Sequence, residues 1–348
     1  AHSLADAFEV ELSDEPQKIL PDLYGQEINS LEEIEKKWGE IKNYLTAFFA
    51  SQGIDVLEAE EMSIFPGMEE LFSLMEIRNY NKTSDFEVII VDCAPTGDTL
   101  RLLSAPEITG WYLKHIFPLQ RTAAKAVRPV ASRVLPFPFP EDKVFEAMKK
   151  LTIQLAEMKD ILADGNQTSI RLVVNPEKMV IKEAQRAFTF FNLFGYMVDL
   201  IIVNRIIPAA VKDVYFKKWI ALQAGYQQLI KECFSPLPIL SSELFSQEIV
   251  GKKLLAEMAK KVYGHRDPTQ IFFNQKPISV EKADSGFDLL LHLPFVGKKD
   301  LELSQKGEEL SIKAGHYKRN ILLPPTLLNY SVKGAKFESQ KLRIYFRH

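Results

Sequence analysis

The 348-residue sequence has little cysteine, no long apolar run and almost no net charge. Its two cysteines, Cys93 and Cys233, lie far apart and form no CxxC pair, which excludes a cysteine-rich zinc site and a disulfide scaffold and favours a reducing compartment. No apolar run reaches the roughly 18 residues that a membrane span needs. The formal charge of −3 gives no global electrostatic case for binding nucleic acid.

The amino-terminal residues, AHSLADAF, lack the basic head and the apolar stretch of a signal peptide. Together with the cysteine usage, this predicts a soluble cytoplasmic protein. Hydrophobic residues make up 46% of the chain and charged residues 26%, which is the composition of a globular protein with a sizeable core. The length predicts about two domains.

Up to about residue 265, short apolar runs alternate with long amphipathic stretches. Residues 86–91, 170–174 and 200–203 lack polar alternation, which is typical of parallel strands buried on both faces. Residues 236–240 are a more marginal candidate. The amphipathic stretches that predict helices are 31–51, 60–79, 143–162, 181–194, 209–232 and 248–263. The pattern therefore predicts an α/β domain over residues 1–265, with a mostly parallel sheet flanked by helices.

From about residue 274 the pattern changes to short alternating runs separated by Gly, Pro, Asp or Lys-Gly turns. Leu310, Ile312 and Ala314, for example, alternate with polar side chains. Strands at this spacing predict a small antiparallel β-sandwich over residues 277–348. The stretch 266–276, which follows a break in the last predicted helix, is interpreted as a linker.

A carboxylate follows the strand predicted over residues 86–91. Asp92 would lie at the carboxyl end of the sheet, where α/β proteins bind ligands, and would hold Mg²⁺ directly or through water. The tight turn after it offers the backbone N–H groups of Thr96 and Gly97 to a phosphate. From the residues alone, an aspartate that caps a helix starting near Thr99 is an equal alternative.

The longer string DCAPTGDTLRLL, residues 92–103, resembles switch II of the ArsA/Get family of P-loop ATPases. That family includes arsenite-pump ATPases and the ATPases that target tail-anchored membrane proteins. Residues 1–8 resemble the end of its switch I, and VNRIIP, residues 203–208, is similar to its VNRVLP. The resemblance spans residues 1–263, and the predicted sandwich resembles the α-crystallin-like domain of some bacterial and plant-type members.

The family's phosphate-binding P-loop, of the type KGGVGKT, does not occur in the 348 residues. The resemblance implies that a βαβ unit of about 30 residues or slightly more, together with the first residues of switch I, comes before Ala1 in a complete member. We therefore expect a segment before Ala1. Without it, the chain should neither bind ATP in the family manner nor fold well.

The resemblance implies hydrolysis of ATP with Mg²⁺. It makes Asp92 the Mg²⁺-associated acid and places Ser3 near the attacking water. Pro95, Thr96 and Gly97 would form the nucleotide-binding switch. An ordinary helix N-cap is the alternative for Ser3.

The resemblance also implies how the base is recognised. Asn204 matches the position whose side-chain amide reads the adenine edge, since an amide both donates and accepts hydrogen bonds. Pro236 and Pro238 lie in a segment similar to the one that closes over the base. An asparagine that satisfies a turn, and a plain strand at the two prolines, are the alternatives.

Residues 104–155 correspond to the client-binding groove of the targeting ATPases. The candidates for that groove are Trp111, Tyr112, Ile116 and Phe117. The stretch is apolar, basic and interrupted by prolines, which suits a hydrophobic helix or an anionic membrane surface. An ordinary core or dimer contact explains these residues as well. The family resemblance implies a homodimer, with a hydrophobic client or membrane protein as partner.

The two cysteines help to distinguish the possible functions. Cys93 is interpreted as a small packed residue in the turn after Asp92. The cysteine cluster that would take As(III) is absent from the sequence, which argues against an arsenite-pump subunit. The sequence thus favours an ATP-dependent conformational switch, with a non-hydrolysing chaperone or scaffold as the second hypothesis.

Overall fold

The computed structural model describes residues 3–28, 30–64, 68–83, 85–93, 141–323 and 325–348. The chain divides into two compact units. The first comprises Glu11–Ile161, and the second comprises Leu162–His348 together with the first residues up to Val10. None of the described helices combines the length and the apolar composition that a membrane span requires.

Helix α1 (Ser3–Phe8) belongs to the second unit, and the first unit contains a hairpin and helices. Their bounds are β1 Gln17–Leu20, β2 Leu23–Gly25, α2 Ser30–Ser51, α3 Val56–Met62, α4 Met68–Thr83 and α5 Asp142–Ala163. Apolar side chains at helical spacing meet in its core, including Ile41, Phe72, Met75, Leu155 and Met158.

The single helix expected over residues 60–79 is two helices. Helix α3 ends at Met62, and the fully buried Ser63 follows it, with its hydroxyl donating to the carbonyl of Ala59 at 2.7 Å. The indole N–H of Trp38 donates to the Ser63 carbonyl at 2.8 Å. Side chains that hydrogen-bond the local backbone in this way compete with helix continuation.

The expectation of a buried strand over residues 86–91 is wrong. The described backbone there forms no ladder, and Val88, Ile89, Ile90 and Val91 are all exposed. Phe86 alone is half-buried, with ring contacts to two tyrosines of the first unit. An apolar run is buried only where neighbouring strands satisfy its backbone groups, and none of the described strands does so here.

The second unit contains the parallel sheet that the sequence predicts. Its strands β3 (Ile170–Val174), β4 (Val198–Ile206) and β5 (Ile239–Glu243) are in the order β3-β4-β5. The connecting helices are α6 Lys178–Phe194, α7 Val214–Phe234 and α8 Lys252–Tyr263. Strand β4 is central and its first residues are buried on both faces, because helices cover both sides of a parallel sheet.

Two antiparallel sheets follow, as the alternating pattern predicts. Their strands are β6 Ile278–Ala283, β7 Gly286–His292, β8 Leu301–Lys306, β9 Glu309–Ala314, β10 Tyr317–Leu322, β11 Ser331–Glu338 and β12 Lys341–Arg347. One sheet has the order β11-β12-β7-β6 and the other β10-β9-β8. Leu310, Ile312 and Ala314 are all buried, so the predicted alternation is confirmed.

The sandwich packs directly on helix α6. The buried Thr189 donates its hydroxyl proton to the carbonyl of Pro294 at 2.7 Å. Arg319 of β10, only 9% exposed, donates from Nη1 to the carbonyl of Leu193 at 2.6 Å. This bond satisfies a carbonyl in the last turn of α6, where helix carbonyls lack partners within the helix and the helix dipole favours a cation.

The stretch 266–276 is attached to the amino end of the sheet. The Arg171 guanidinium donates to the carbonyls of Pro268, at 2.6 Å, and Gln270, at 2.9 Å. The carboxylate of Asp199, fully buried near the start of β4, accepts from the Phe272 N–H at 3.0 Å. Arg171 Nε lies 3.5 Å from Asp199 Oδ1, which makes no hydrogen bond of its own.

Candidate functional site

Strand β4 bulges at its carboxyl end. Val203 pairs with Ser241 and Ile206 with Glu243, so three steps along β4 oppose two along β5. The extra residue lies at Asn204 or Arg205, and Arg205 has a left-handed φ of 55°. Bulges of this kind redirect a side chain and are common beside active sites.

The buried side chain of Gln223, on helix α7, makes hydrogen bonds to the backbone of the bulge. Its Oε1 accepts from the Ile207 N–H at 2.9 Å, and its Nε2 donates to the Arg205 carbonyl at 3.3 Å. On the other side, the Leu244 N–H donates to the Ile206 carbonyl at 2.7 Å. The irregular backbone therefore has defined partners and holds Asn204 in a fixed place.

The half-buried Asn204 side chain is available to a ligand at this edge. Its Oδ1 accepts from the Arg205 N–H at 2.9 Å, which fixes the direction of the amide. Within the described residues the amide nitrogen makes no hydrogen bond, so it retains two donors, and Oδ1 retains a second lone pair. A group that donates and accepts side by side suits the edge of a nucleobase.

The structure does not bring Pro236 and Pro238 to this edge. They precede β5, and the carbonyl of Pro238 accepts from the Ile201 N–H at 3.1 Å, at the amino half of β4. Because β4 and β5 are parallel, Asn204 lies three residues further along, about 10 Å away at the rise of a strand. The residues that accompany Asn204 are instead those near the end of β5, such as Ser242 and Glu243.

Ser3 is the first residue of helix α1. The carboxyl end of this helix is hydrogen-bonded to the loop between β5 and α8. The carbonyl of Ala7 accepts from the Gly251 N–H at 2.9 Å, just before helix α8 begins. Gly251 has a φ of +82°, a conformation that a residue with a Cβ rarely adopts, so the backbone here favours glycine. The chain that follows Ser3 is thus held beside the segment that leads away from the sheet's carboxyl edge.

Asp92 and Cys93 are exposed in the first unit. Among the described residues, the Asp92 carboxylate makes no hydrogen bond or ion pair. The expectation that Cys93 is packed is wrong, because the strand that would have buried its turn does not form. The other expected site residues lie outside the described residues: Pro95, Thr96, Gly97, Trp111, Tyr112, Ile116 and Phe117.

Comparison with known proteins identifies the family of the region that contains the parallel sheet. Residues 1–264 match the ArsA family described as anion-transporting ATPase. The chain belongs to the anion-transporting ATPase family. Residues 284–346 match the HSP20-like domain found in ArsA, so the sandwich belongs to a domain type that accompanies this ATPase.

Individual relatives agree with this family assignment. The chain is 36% identical to a putative arsenical pump-driving ATPase 1 of Aquifex aeolicus, over 99% of this chain and 90% of that protein. It is 36% identical to a putative arsenical pump-driving ATPase of Prosthecochloris vibrioformis, over 99% and 86%. It is 27% identical to ATPase get3 of Pyrenophora tritici-repentis, over 56% and 59%. ATPase activity is therefore the family's reaction.

The described residues fit the groups that this anion-transporting ATPase family implies. The amide of Asn204, fixed at Oδ1 and available at its nitrogen, has the donor and acceptor that an adenine edge needs. Mg²⁺ at nucleotide sites is usually held by one or two carboxylates, phosphate oxygens and waters, which suits an unpaired Asp92. The described residues contain no group of three or more metal-ligating side chains.

The sequence analysis missed Gln223. The signal was weak, because Gln223 lies at helical spacing from the buried Ile230 and Phe234 of α7, but Gln227 lies on the same face. An amide buried on a core face requires partners, and here those partners are the backbone of the bulge.

Proposed function

We propose that the protein is a nucleotide-dependent switch that binds ATP with Mg²⁺ and couples hydrolysis to a change of partner. Asn204 recognises the adenine edge, and Asp92 associates with the metal, which when bound neutralises developing charge on the phosphates. The switch works as a homodimer in the cytoplasm, and its partner is a hydrophobic client or a membrane protein. Residues 104–155 supply the client surface, and residues 1–265 and 277–348 are separate domains joined by 266–276.

The observation that carries the proposal is the bulge at Asn204. An α/β protein binds ligands at the carboxyl edge of its parallel strands, and the pairing of β4 with β5 is irregular at that edge, between Val203 and Ile206. The pairing of β4 with β3 also shifts register at the amino end, but there the side chains bind the protein itself. The departure keeps Arg205 in a disfavoured conformation, at a cost of roughly 1–3 kcal/mol. Backbone strain at a ligand-facing edge supports a binding role.

The first experiment replaces Asn204 with alanine in the full-length protein. We expect Asn204→Ala to weaken ATP binding about tenfold while leaving Mg²⁺-triphosphate binding unchanged, because only the base loses its partner. Isothermal titration calorimetry measures both. Asn320→Ala, an exposed asparagine of the sandwich, is the matched control. Equal losses for the two ligands would mean that Asn204 is structural.

The second experiment replaces Asp92 with asparagine, which keeps the size of the side chain and removes its charge. We expect Asp92→Asn to abolish Mg²⁺-dependent ATP hydrolysis and to leave the unfolding midpoint unchanged, since Asp92 is exposed. Phosphate release and thermal denaturation are the measurements. Unchanged turnover would reject the assignment of Asp92.

The names of two relatives favour one further candidate, an arsenical pump-driving ATPase. Binding of As(III) requires neighbouring thiolates, and the whole chain has two cysteines, which belong to different units. ATPase activity stimulated by arsenite would support that candidate. Nucleotide binding without any turnover would instead support a chaperone or scaffold.

A further inference from the structure

We infer that Gln223 is a positioning residue that aims the Asn204 amide and thereby sets the base preference of the site. The inference rests on the proposed function, in which Asn204 reads the base. Gln223 is only 7% exposed, on a helix face where its neighbours in the core are apolar. A buried amide in such a place is costly unless every polar atom finds a partner.

The bulge supplies those partners. Strand β3 pairs with β4 only as far as Val203, and the pairing of β4 with β5 passes from Val203 directly to Ile206, so Arg205 and Ile207 have no residue opposite them in either described ladder. One amide satisfies both groups, with Nε2 donating to the carbonyl at 3.3 Å and Oε1 accepting from the N–H at 2.9 Å. Gln223 therefore replaces, from the side, the hydrogen bonds that a second strand would make.

Glutamine is the residue that this arrangement requires. A glutamate at the position keeps the acceptor and loses the donor, and an apolar side chain loses both. An asparagine is one methylene shorter and does not span the same distance from the α7 backbone. The identity of the side chain, and not only its bulk, determines whether the bulge is held.

Holding the bulge determines where the Asn204 amide is directed. Arg205 is kept at a φ of 55°, which residues with a Cβ adopt reluctantly. The N–H of that same residue donates to Asn204 Oδ1 at 2.9 Å, so the orientation of the Asn204–Arg205 peptide sets the direction of the side chain. Releasing Arg205 from Gln223 allows this peptide to turn and the amide to lose its alignment.

The first test measures the bulge itself, in nucleotide-free protein. Gln223→Met keeps the length and helix propensity of the side chain and removes both hydrogen bonds. We expect amide hydrogen exchange at Ile207 to become about tenfold faster. Gln228→Met, on the exposed face of the same helix, should leave it unchanged. Gln223→Glu, which keeps the acceptor for Ile207, should give a smaller increase than Gln223→Met.

The second test measures base preference in the full-length protein. Calorimetry with ATP, GTP and inorganic triphosphate gives the ratio of the ATP and GTP dissociation constants. We expect Gln223→Met to reduce the preference for ATP about five- to tenfold, toward the value of Asn204→Ala, with triphosphate binding unchanged. Gln228→Met should retain the preference of the original protein.

The outcomes separate this inference from the proposed function. If Asn204→Ala changes base preference and Gln223→Met does not, the positioning role is overturned while the proposed function stands. If Gln223→Met weakens triphosphate as much as ATP, its role is general stability and the inference is overturned. If neither variant changes base preference, the proposed function fails, and the inference fails with it even where exchange at Ile207 is faster.

Discussion

The two ends of strand β4 use polar side chains in opposite ways. At the amino end, the fully buried Asp199 and the Arg171 guanidinium are directed at the protein itself, and they attach residues 268–272 to the sheet. At the carboxyl end, Asn204 is half-buried and its amide nitrogen makes no hydrogen bond within the described residues. Polar groups at the first end are paired within the protein and contribute to stability, whereas the Asn204 amide keeps unpaired donors for the ligand that we propose.

The largest loss of stability should come from removing the Arg171–Asp199 ion pair at the amino end of β4. Arg171→Met removes the cation beside a carboxylate with no exposure to water, and we expect a loss of about 3 kcal/mol in the free energy of unfolding. Urea denaturation followed by circular dichroism measures it. Adding Asp199→Asn should recover part of the loss, because the uncompensated charge is then gone.

The matched control for this change is Arg186→Met, since Arg186 pairs with Glu183 on the exposed face of α6. We expect it to change stability by less than about 0.5 kcal/mol. Equal effects of the two arginine substitutions would show that the ion pair at the amino end of β4 has no special structural role.

A smaller effect should come from the contact of the sandwich with α6. Arg319→Met leaves the Leu193 carbonyl without its donor and removes a cation 5.6 Å from the Phe194 ring. We expect a loss of about 2 kcal/mol, measured by thermal or urea denaturation. Lys318→Met, an exposed neighbour on the same strand, should be nearly neutral. An Arg319→Met protein as stable as the original would contradict this interpretation of the interface.

The smallest effect concerns acid stability of the sandwich. Burial raises the pKa of Asp288, but hydrogen bonds from Arg343, at 2.9 Å, and Arg347, at 2.6 Å, outweigh it and hold the pKa below its usual value of 3.8. The unfolded chain therefore takes up the proton first, so this contribution is complete only above about pH 5 and is lost as the pH falls through the lowered pKa.

Asp288→Asn removes that titration. We expect the original protein to lose more stability between pH 5 and pH 3 than the variant does, by less than about 1 kcal/mol. Urea denaturation at the two pH values measures the difference. Parallel pH profiles for the two proteins would show that Asp288 contributes nothing to acid sensitivity.

Two apolar runs show how far the sequence predicts the fold. Residues 86–91 and Ile170–Val174 have the same β-branched, unalternated pattern, and both are expected to be buried strands. The second is a strand paired with β4, but the expected burial on both faces is wrong, because only Val174 is buried and Val173 is 58% exposed. The first is exposed and unpaired among the described strands. Local pattern measures the tendency to be buried, but pairing depends on which other strands lie alongside.

By itself, the sequence determined the element types of the second unit, the alternation of the sandwich, and the position of Asn204 at the end of a strand, because these follow from hydrophobic period and from turn residues. Only the tertiary structure decided that β4 bulges there, that Gln223 holds the bulge, and that Pro238 lies beside Ile201 and not beside Asn204. Those features depend on register and on hydrogen bonds between residues far apart in the chain. No local pattern encodes them, since each partner is selected by the packing of the whole unit.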